Sequence, residues 1–145
     1  MFKHILLPTD GSELSLRAAD TGIALATKLG ARVHAFHVVA PFPSLAYLVD
    51  IIQANQEFYL ADAVERAEGY LKEVKQRAAA AGVPCESSHK INDQPYAAIV
   101  KTAVDRQCDL IVMASHGWRG LNRLLLGSET HKVLLHGDVP VLVCH

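Results

Sequence analysis

The residues whose types and spacing best suit ligand binding lie between Asp109 and Thr130, in the stretch DLIVMASHGWRGLNRLLLGSET. Its apolar start predicts a strand that is buried on both faces. The residues Ala114 to Gly117 then predict a loop, and Gly127 and Ser128 mark the start of a helix. Unpaired backbone N–H groups in a first helical turn bind anions, and the helix dipole favours the negative charge. The stretch therefore predicts a phosphate-binding loop that leads into a helix.

Three polar residues have a structural explanation beside the ligand-binding one. Asp10 follows the first predicted strand and could cap the next helix as well as contact a ligand. Ser128 could likewise cap the fourth helix, bind phosphate, or do both. His116 is either a neutral hydrogen-bonding residue or a contact to phosphate or metal, and a single histidine without a paired ligand favours the first.

The middle of the loop is basic and rich in leucine. Trp118 and Leu124 to Leu126 are expected to pack against the fold. Arg119 and Arg123 either neutralise a triphosphate or remain solvated. Over the whole chain, 14 basic side chains nearly balance 15 acidic ones. This composition favours neither nucleic acid nor a membrane surface as a partner, because both normally meet a basic patch.

The motifs of several enzyme classes are absent from the sequence. It has no GxSxG nucleophile elbow, no His-Glu helix pair for zinc, and no GxxxxGK[ST] phosphate loop. No GxGxxG follows a predicted strand, so kinase and dehydrogenase functions lack their residues. Slow hydrolysis with a magnesium ion and a positioned water stays open, because it requires little sequence. We therefore predict no catalytic residues.

Length and composition predict a single globular domain over residues 1–145, with 50% hydrophobic and 20% charged residues. The cysteines Cys85, Cys108 and Cys144 have no metal-binding spacing, which indicates free thiols in a reducing compartment. The N-terminus has neither the length nor the cleavage site of a signal peptide, and no apolar run is long enough to span a membrane. We therefore expect a cytoplasmic protein.

The order of apolar patterns predicts five strands alternating with four helices. Helix starts are expected at Asp10 or Ser12 and at Asp93 or Gln94, and Gly30 suits a left-handed helix end. Ala97, Val100 and Val104 are expected to line the third helix. The predicted strands are His4–Leu7, Arg32–Val39, Cys85–Ile91 at a sheet edge, Asp109–Met113 and Val139–Cys144; the helices are Glu13–Leu29, about Asn55 to Gly82, a helix beginning near Pro95, and Ser128–His136.

Alternating strands and helices predict a doubly wound α/β fold, in which a parallel sheet has helices on both faces. Ligands bind such sheets at the carboxyl ends of the strands, where the strand order reverses. If strands one and four are neighbours, the turn from Pro8 to Ser12 faces the loop from Ala114 to Ser128. The apolar segment Ala40–Gln53 lacks periodicity, and a lid, a dimer contact and a core segment all stay open for it.

The chain resembles the universal stress protein family over nearly its whole length. The start MFKHILLPTDGSE is similar to the family's opening strand and turn, LIVMASHGWRGLNRLLLGSET to its nucleotide loop, and VPVLVCH to its closing strand. The resemblance implies a five-stranded parallel sheet of order 3-2-1-4-5, the adenine nucleotide alpha hydrolase-like fold. It also implies a homodimer in which Val139–Cys144 joins the sheet edges of two copies.

The nucleotide loop of the family has a spacing that this chain matches at all but one position. Nucleotide-binding members have a glycine, two residues, a second glycine, nine residues, and then Gly-Ser or Gly-Thr. Gly117, Gly127 and Ser128 match, whereas Ala114 replaces the first glycine. A left-handed backbone at Ala114 would cost about 1 to 2 kcal/mol. Because Ala114 directly follows a strand, we expect an extended backbone there and retained binding.

The resemblance implies a role for each residue of the site. Asp10, with Pro8 and Thr9, would lie beside the adenine and ribose, and the backbone of Val38 would contact the adenine edge. Met113 and Ala114 would flank the nucleoside. The groups that would offer backbone N–H or hydroxyl donors to phosphates belong to Gly117, Gly127, Ser128, Glu129 and Thr130, with His116 beside them.

The function that the resemblance implies is the binding of an adenine nucleotide, ATP or AMP, with or without Mg²⁺. The protein would act as a stress-response or regulatory module, in which the nucleotide shifts the conformations of the loop from His116 to Leu126 that an unknown protein partner reads. Two alternatives stay open. One is a dimeric interaction protein whose site is lost at Ala114, and the other is a slow Mg²⁺-dependent ATPase.

Overall fold

A computed structural model describes residues 1–42, 49–118 and 126–145, with the backbone alone described for residues 49–55. Strands and helices alternate as the sequence predicts. The strands pair in parallel in the order β3-β2-β1-β4-β5, with the polar strand β3 at one edge. The elements in chain order are β1 (His4–Pro8), α1 (Glu13–Leu29), β2 (Arg32–Val39), α2 (Val49–Ala80), β3 (Cys85–Ile91), α3 (Pro95–Asp105), β4 (Leu110–Ala114), α4 (Ser128–His136) and β5 (Val141–Cys144).

The predicted bounds of α1, β2, β3 and α4 are confirmed, while three other elements begin at different residues. Helix α2 begins at Val49, before the expected Asn55, so the last part of the Ala40–Gln53 segment is helical. Residues 43–48 of that segment lie outside the described residues. Strand β5 begins at Val141 instead of Val139, because Pro140 has no N–H to donate to a sheet ladder and contributes only its carbonyl to Ile111.

The start of α1 is capped by Ser12, whose hydroxyl accepts a hydrogen bond from the backbone N–H of Ser15 at 3.2 Å. Asp10 does not cap this helix, because its Oδ1 accepts from the N–H of Ser12 at 2.9 Å and Asp10 precedes the N-cap residue by two positions. Gly30 ends the helix with φ 66°, the left-handed conformation that glycine adopts without strain. The expectation for Gly30 is therefore confirmed, and the choice between Asp10 and Ser12 falls on Ser12.

The caps of the two later helices differ from the prediction. Gln94 is the N-cap residue of α3 but makes no side-chain hydrogen bond there. The N–H of Tyr96 is bonded instead by the carboxylate of Glu129, at 2.8 Å, which reaches across from α4. Gly127, not Ser128, is the N-cap residue of α4, and Ser128 is the first helical residue. The N-terminus of α3 is thus capped by the Glu129 side chain of α4 and not by the side chain of its own N-cap residue, Gln94.

The sheet divides the core into two layers. On one face Ile5, Leu7 and Val33 pack with α1 and α2, and on the other Leu6 and Phe36 pack with α3 and α4. The predicted inward face of α3 is wrong. Its buried residues are Ala98, Ile99, Thr102 and Ala103, and Val104 is 61% exposed. Helix α3 is apolar on more than one side, so its periodicity fits two faces equally well.

In the part of the chain that the structure describes, no helix is both long and apolar enough to cross a membrane.

Candidate functional site

A cavity of about 610 Å³ opens at the carboxyl ends of the strands, between β1 and β4. These two strands are the central neighbours at which the strand order reverses. They are in register only at Ile5 opposite Leu110 and Leu6 opposite Ile111, whereas β1 and β2 stay in register as far as Pro8. The strands therefore part before they end, and this parting creates the crevice that doubly wound folds use for ligands.

All twelve residues that the sequence assigns to a site line this one cavity. They come from four separate parts of the chain: the exit of β1, the end of β2, the end of β4 with its loop, and the start of α4. The twelve are Pro8, Thr9, Asp10, Val38, Met113, Ala114, His116, Gly117, Gly127, Ser128, Glu129 and Thr130. The fold therefore brings all twelve residues together around one cavity.

The exit of β1 forms one wall and is held by hydrogen bonds of its own. The N–H of Thr9 donates to the carbonyl of Phe36 at 2.8 Å, which prolongs the ladder between β1 and β2 by one bond. The buried Thr9 hydroxyl lies 3.0 Å from the hydroxyl of Ser15 in α1 and accepts from the N–H of Gly11 at 3.2 Å. Thr9 is thus committed to the protein, which leaves Asp10 as the acceptor on this wall.

The end of β2 brings to the cavity a peptide group that has no hydrogen-bond partner among the residues that the structure describes. In a parallel ladder successive residues direct their N–H and C=O groups to opposite neighbours. The carbonyl of Phe36 accepts from Thr9 on the β1 side, and that of Val39 accepts from Asn92 on the β3 side. Val38 therefore faces the β1 side, where β1 has already ended at Pro8. Its N–H and C=O are placed to pair with the edge of a flat heterocycle.

The end of β4 shows the backbone conformation of Ala114, the residue that replaces the first glycine of the family motif. Met113 and Ala114 are buried members of the strand, so Ala114 has an extended backbone. Within the described residues, Gln107 alone among the non-glycine residues has a positive φ. The strain that a left-handed Ala114 would impose is therefore absent, as expected. The carbonyl of Ala114 accepts a hydrogen bond from the hydroxyl of Thr130 at 2.9 Å.

The two matched glycines are required by close contacts. A Cβ at Gly117 would collide with the Oδ2 atom of Asp10, and a Cβ at Gly127 would lie 2.6 Å from the carbonyl oxygen of Ser115. The N–H of Gly127 donates to that same carbonyl at 2.7 Å. The N–H of Gly127 is therefore already paired within the chain, and its role toward phosphate stays a prediction. It serves to bring the start of α4 against the end of β4.

The first turn of α4 holds the donors that remain. The first intrahelical bond runs from the N–H of His131 to the carbonyl of Gly127 at 2.9 Å, so the N–H groups of Ser128, Glu129 and Thr130 precede it. The Thr130 hydroxyl is committed to Ala114 and the Glu129 carboxylate to Tyr96. These two side chains are thus bonded within the protein, and in the described part of the chain the donors of the turn that have no partner are the three main-chain N–H groups and the exposed Ser128 hydroxyl.

His116 behaves as a hydrogen-bonding residue of the loop. Its Nδ1 lies 3.0 Å from the hydroxyl of Ser115, and the ring is half-buried. Across the described ranges no three His, Cys, Asp or Glu side chains come close enough together to hold a metal ion. The described residues by themselves therefore offer no metal cage at this cavity.

The sequence analysis missed seven residues of the cavity, and two of them, His37 and Trp118, form hydrogen bonds with the exit of β1. The Nδ1 of His37 lies 2.7 Å from the carbonyl of Thr9, the ring packs edge-on against Tyr70, and burial lowers its pKa. Its position next to Val38 at a strand end was the available signal. The other cavity residues not predicted are Ser15, Phe36, Ala40, Pro95 and Ile99.

Trp118 does not pack in the core, so that prediction is wrong. Its side chain is 67% exposed, and Leu126 is exposed as well. The indole Nε1–H donates to the main-chain carbonyl of Asp10 at 2.6 Å, and the N–H of Trp118 donates to Oδ2 of Asp10 at 3.3 Å. The other predicted packing residues, Leu124 and Leu125, and the arginines Arg119 and Arg123 lie outside the described residues.

The fold and the site together define a doubly wound α/β domain with a crevice at the ends of its central strands. A sequence model of the universal stress protein family matches residues 1–145. The chain is 36% identical over 145 residues to universal stress protein MJ0531 of Methanocaldococcus jannaschii, an alignment that covers 99% of this chain and 82% of the relative. The chain therefore belongs to the universal stress protein family.

Solved structures share this architecture. The structure of hypothetical protein MJ0577, also from Methanocaldococcus jannaschii, superposes with a TM-score of 0.84 at 28% identity, covering 99% of this chain and 96% of the other. A universal stress protein solved in complex with cAMP superposes with a TM-score of 0.73 at 24% identity, covering 99% of this chain and 97% of the other. The second likeness concerns the fold alone.

Proposed function

We propose that this chain binds an adenine nucleotide, ATP or AMP, in the cavity between β1 and β4. The observation that carries the proposal is the convergence of all twelve expected residues on one cavity at the switch point of the sheet. A cavity of about 610 Å³ lies within the range of small-molecule sites. The cAMP complex of a protein with the same fold supports the choice of an adenine nucleotide.

Each part of a nucleotide has a matching part of the cavity. The adenine would lie beside the free peptide group of Val38, between the side chains of Phe36 and Met113. The sugar hydroxyls would donate to the carboxylate of Asp10, which faces the cavity. The phosphates would accept from the first-turn N–H groups of α4, where the helix dipole adds a favourable field.

The charges of the cavity bear on the number of phosphates. Among its described lining residues the charged side chains are Asp10 and Glu129, both acidic, with no lysine or arginine. A triphosphate therefore needs positive charge from Mg²⁺ or from Arg119 and Arg123. Mg²⁺ keeps most of its water and binds through phosphates and one or two carboxylates. Asp10 is the side chain of this wall that fits that role.

We further propose that the chain is a cytoplasmic regulatory module that pairs as a homodimer through Val139–Cys144. Strand β5 is an edge strand with moderately exposed residues, and edge strands are commonly covered by a second copy. Leu135 and Leu142 are large, exposed apolar residues on the neighbouring helix and on this strand. Pairing of two such edges would remove them from water.

The experiment is a thermal-shift titration with ATP, ADP, AMP and GTP, each with and without Mg²⁺, followed by calorimetry. Ligand at about 100 times its Kd adds roughly 2.7 kcal/mol, which raises Tm by roughly 5 to 11 °C for a chain of this size. Adenine nucleotides should raise Tm and GTP should not. An Asp10→Ala variant should weaken binding, while Asp93→Ala, an exposed acid outside the cavity, should not. No shift at millimolar nucleotide would overturn the proposal and favour a ligand-free dimer.

A further inference from the structure

Trp118 and Asp10 both line the cavity and form a contact with each other, which we call the clasp. It consists of two hydrogen bonds, from the indole Nε1–H to the main-chain carbonyl of Asp10 at 2.6 Å and from the N–H of Trp118 to Oδ2 at 3.3 Å. The clasp joins the turn after β1 to the loop after β4. The indole is 67% exposed, so its role is not that of a core residue.

The clasp leaves the Asp10 carboxylate with one orientation. Oδ1 accepts from the N–H of Ser12 at 2.9 Å, Oδ2 accepts from Trp118, and Gly117 lies so close to Oδ2 that a Cβ there would collide with it. A carboxylate has about four acceptor positions. One on each oxygen is therefore occupied by the protein, and one on each remains for a ligand that lies in the cavity.

We propose that Trp118 is a positioning residue of the nucleotide site, which holds Asp10 so that its carboxylate accepts the hydroxyls of a ribose. This inference rests on the proposed function and deepens it, because it assigns the sugar specificity. A carboxylate that the protein already holds in position binds the hydroxyls of a ligand without a loss of its own conformational entropy. If Asp10 were not held, part of the free energy of each hydrogen bond would be offset by the ordering of the residue. The site is thus selective for ribonucleotides over 2′-deoxyribonucleotides.

Replacement of Trp118 by phenylalanine tests this directly. Trp118→Phe keeps an aromatic ring but removes the Nε1–H, and with it the shorter bond of the clasp. The exposed position makes the fold tolerant of the change, which an unchanged Tm without ligand verifies. Phe58→Leu, at an exposed aromatic residue of α2 outside the cavity, is the matched control.

The measurement is the ratio of the Kd values for 2′-deoxy-AMP and AMP, obtained by calorimetry. The unmodified chain should bind AMP roughly tenfold more tightly, as one hydrogen bond to a charged acceptor provides. Trp118→Phe should reduce the ratio to about 2 or less, mostly through weaker AMP binding, because loss of the indole bond releases the main chain of Asp10, and its carboxylate then no longer meets the 2′-hydroxyl in a fixed position. Phe58→Leu should leave the ratio unchanged.

Four outcomes would overturn the inference, and they separate it from the proposed function. If the unmodified chain binds both nucleotides equally, or if Trp118→Phe leaves both Kd values unchanged, nucleotide binding stands and the role of Trp118 fails. If Trp118→Phe weakens both ligands by the same factor, the ratio stays the same and Trp118 only packs against the site. If the unmodified chain binds no nucleotide at all, both proposals fail together.

Discussion

Thr130 and Ala114 tie the start of α4 to the end of β4, since the buried Thr130 hydroxyl donates to the Ala114 carbonyl at 2.9 Å. This bond links a residue of the proposed phosphate turn to the residue that replaces the first glycine of the family motif. The position of the turn relative to the crevice therefore depends on a side chain whose hydroxyl is bonded within the protein.

Thr130→Val should lower the free energy of unfolding by about 1 to 3 kcal/mol, because valine keeps the volume of threonine but leaves a buried carbonyl without this donor. Thr130→Ser keeps the hydroxyl and should cost less. Chemical denaturation of the three proteins checks the order. If the valine variant is as stable as the unmodified chain, the bond does not stabilise the turn.

Gly127→Ala should destabilise the protein by about 1 to 3 kcal/mol, since the new Cβ would lie 2.6 Å from the Ser115 carbonyl and 3.0 Å from the His116 Cα. The same substitution at Gly69 is the matched control. Gly69 is an exposed residue inside α2 with open space around its Cα, and Gly69→Ala should stabilise by about 0.5 to 1 kcal/mol. Effects of the same sign at both positions would contradict this account, and thermal unfolding measures both.

Ala114→Gly should change nucleotide affinity by less than about twofold, because Ala114 is extended and pays no left-handed strain that glycine could relieve. The variant should be less stable by about 0.5 to 1 kcal/mol, the entropic cost of glycine in a strand. Calorimetry and denaturation measure the two effects. A large gain in affinity would show that the alanine methyl obstructs the ligand.

The stability of the protein should fall as the pH drops from about 6.5 to about 4, and His34 should be a main cause. Its ring is fully buried beside His4, and burial, followed by the charges of Arg106 and His4, lowers its pKa to about 4. In that pH window the unfolded chain binds a proton at His34 that the folded chain excludes. This proton linkage lowers the free energy of unfolding by about 3 kcal/mol over the whole window. It has no effect above the pKa of His34 in the unfolded chain, and it does not increase further below the pKa in the folded protein.

Denaturation at about pH 7 and about pH 4.5 tests this assignment with His34→Gln, which cannot titrate. The variant should lose less stability between the two pH values, whatever its stability at neutral pH. Part of the dependence should persist, because burial also lowers the pKa of His4 in the same direction. An undiminished dependence in His34→Gln would assign the effect to other groups.

Local sequence patterns were sufficient for most of the fold. The bounds of α1 and β2 follow from apolar periodicity and from Gly30, which ends the helix at the expected residue. The start of α2 was missed because its first residues lack a regular apolar pattern. Helix α3 has apolar residues on two sides, so its sequence pattern did not predict which side faces the sheet.

Contacts between distant residues of the chain were beyond sequence reasoning. Trp118 and Asp10 are 108 positions apart, and Tyr96 and Glu129 are 33 apart. Composition suggests that a tryptophan is buried, but its Nε1–H can instead be satisfied by one carbonyl at the surface. The glutamate that the motif placed near phosphate is used as a cap for another helix, which only the packing of α3 against α4 makes available.

The short pairing of β1 with β4 has a mechanical consequence. This seam is in register only at Ile5 with Leu110 and Leu6 with Ile111, and it joins the half of the chain that carries β1 to β3 with the half that carries β4 and β5. A nucleotide in the crevice would contact both halves at once and would therefore hold β1 and β4 together along this seam. Hydrogen exchange should then slow at the amides of Ile5, Leu6, Leu110 and Ile111, none of which lines the cavity.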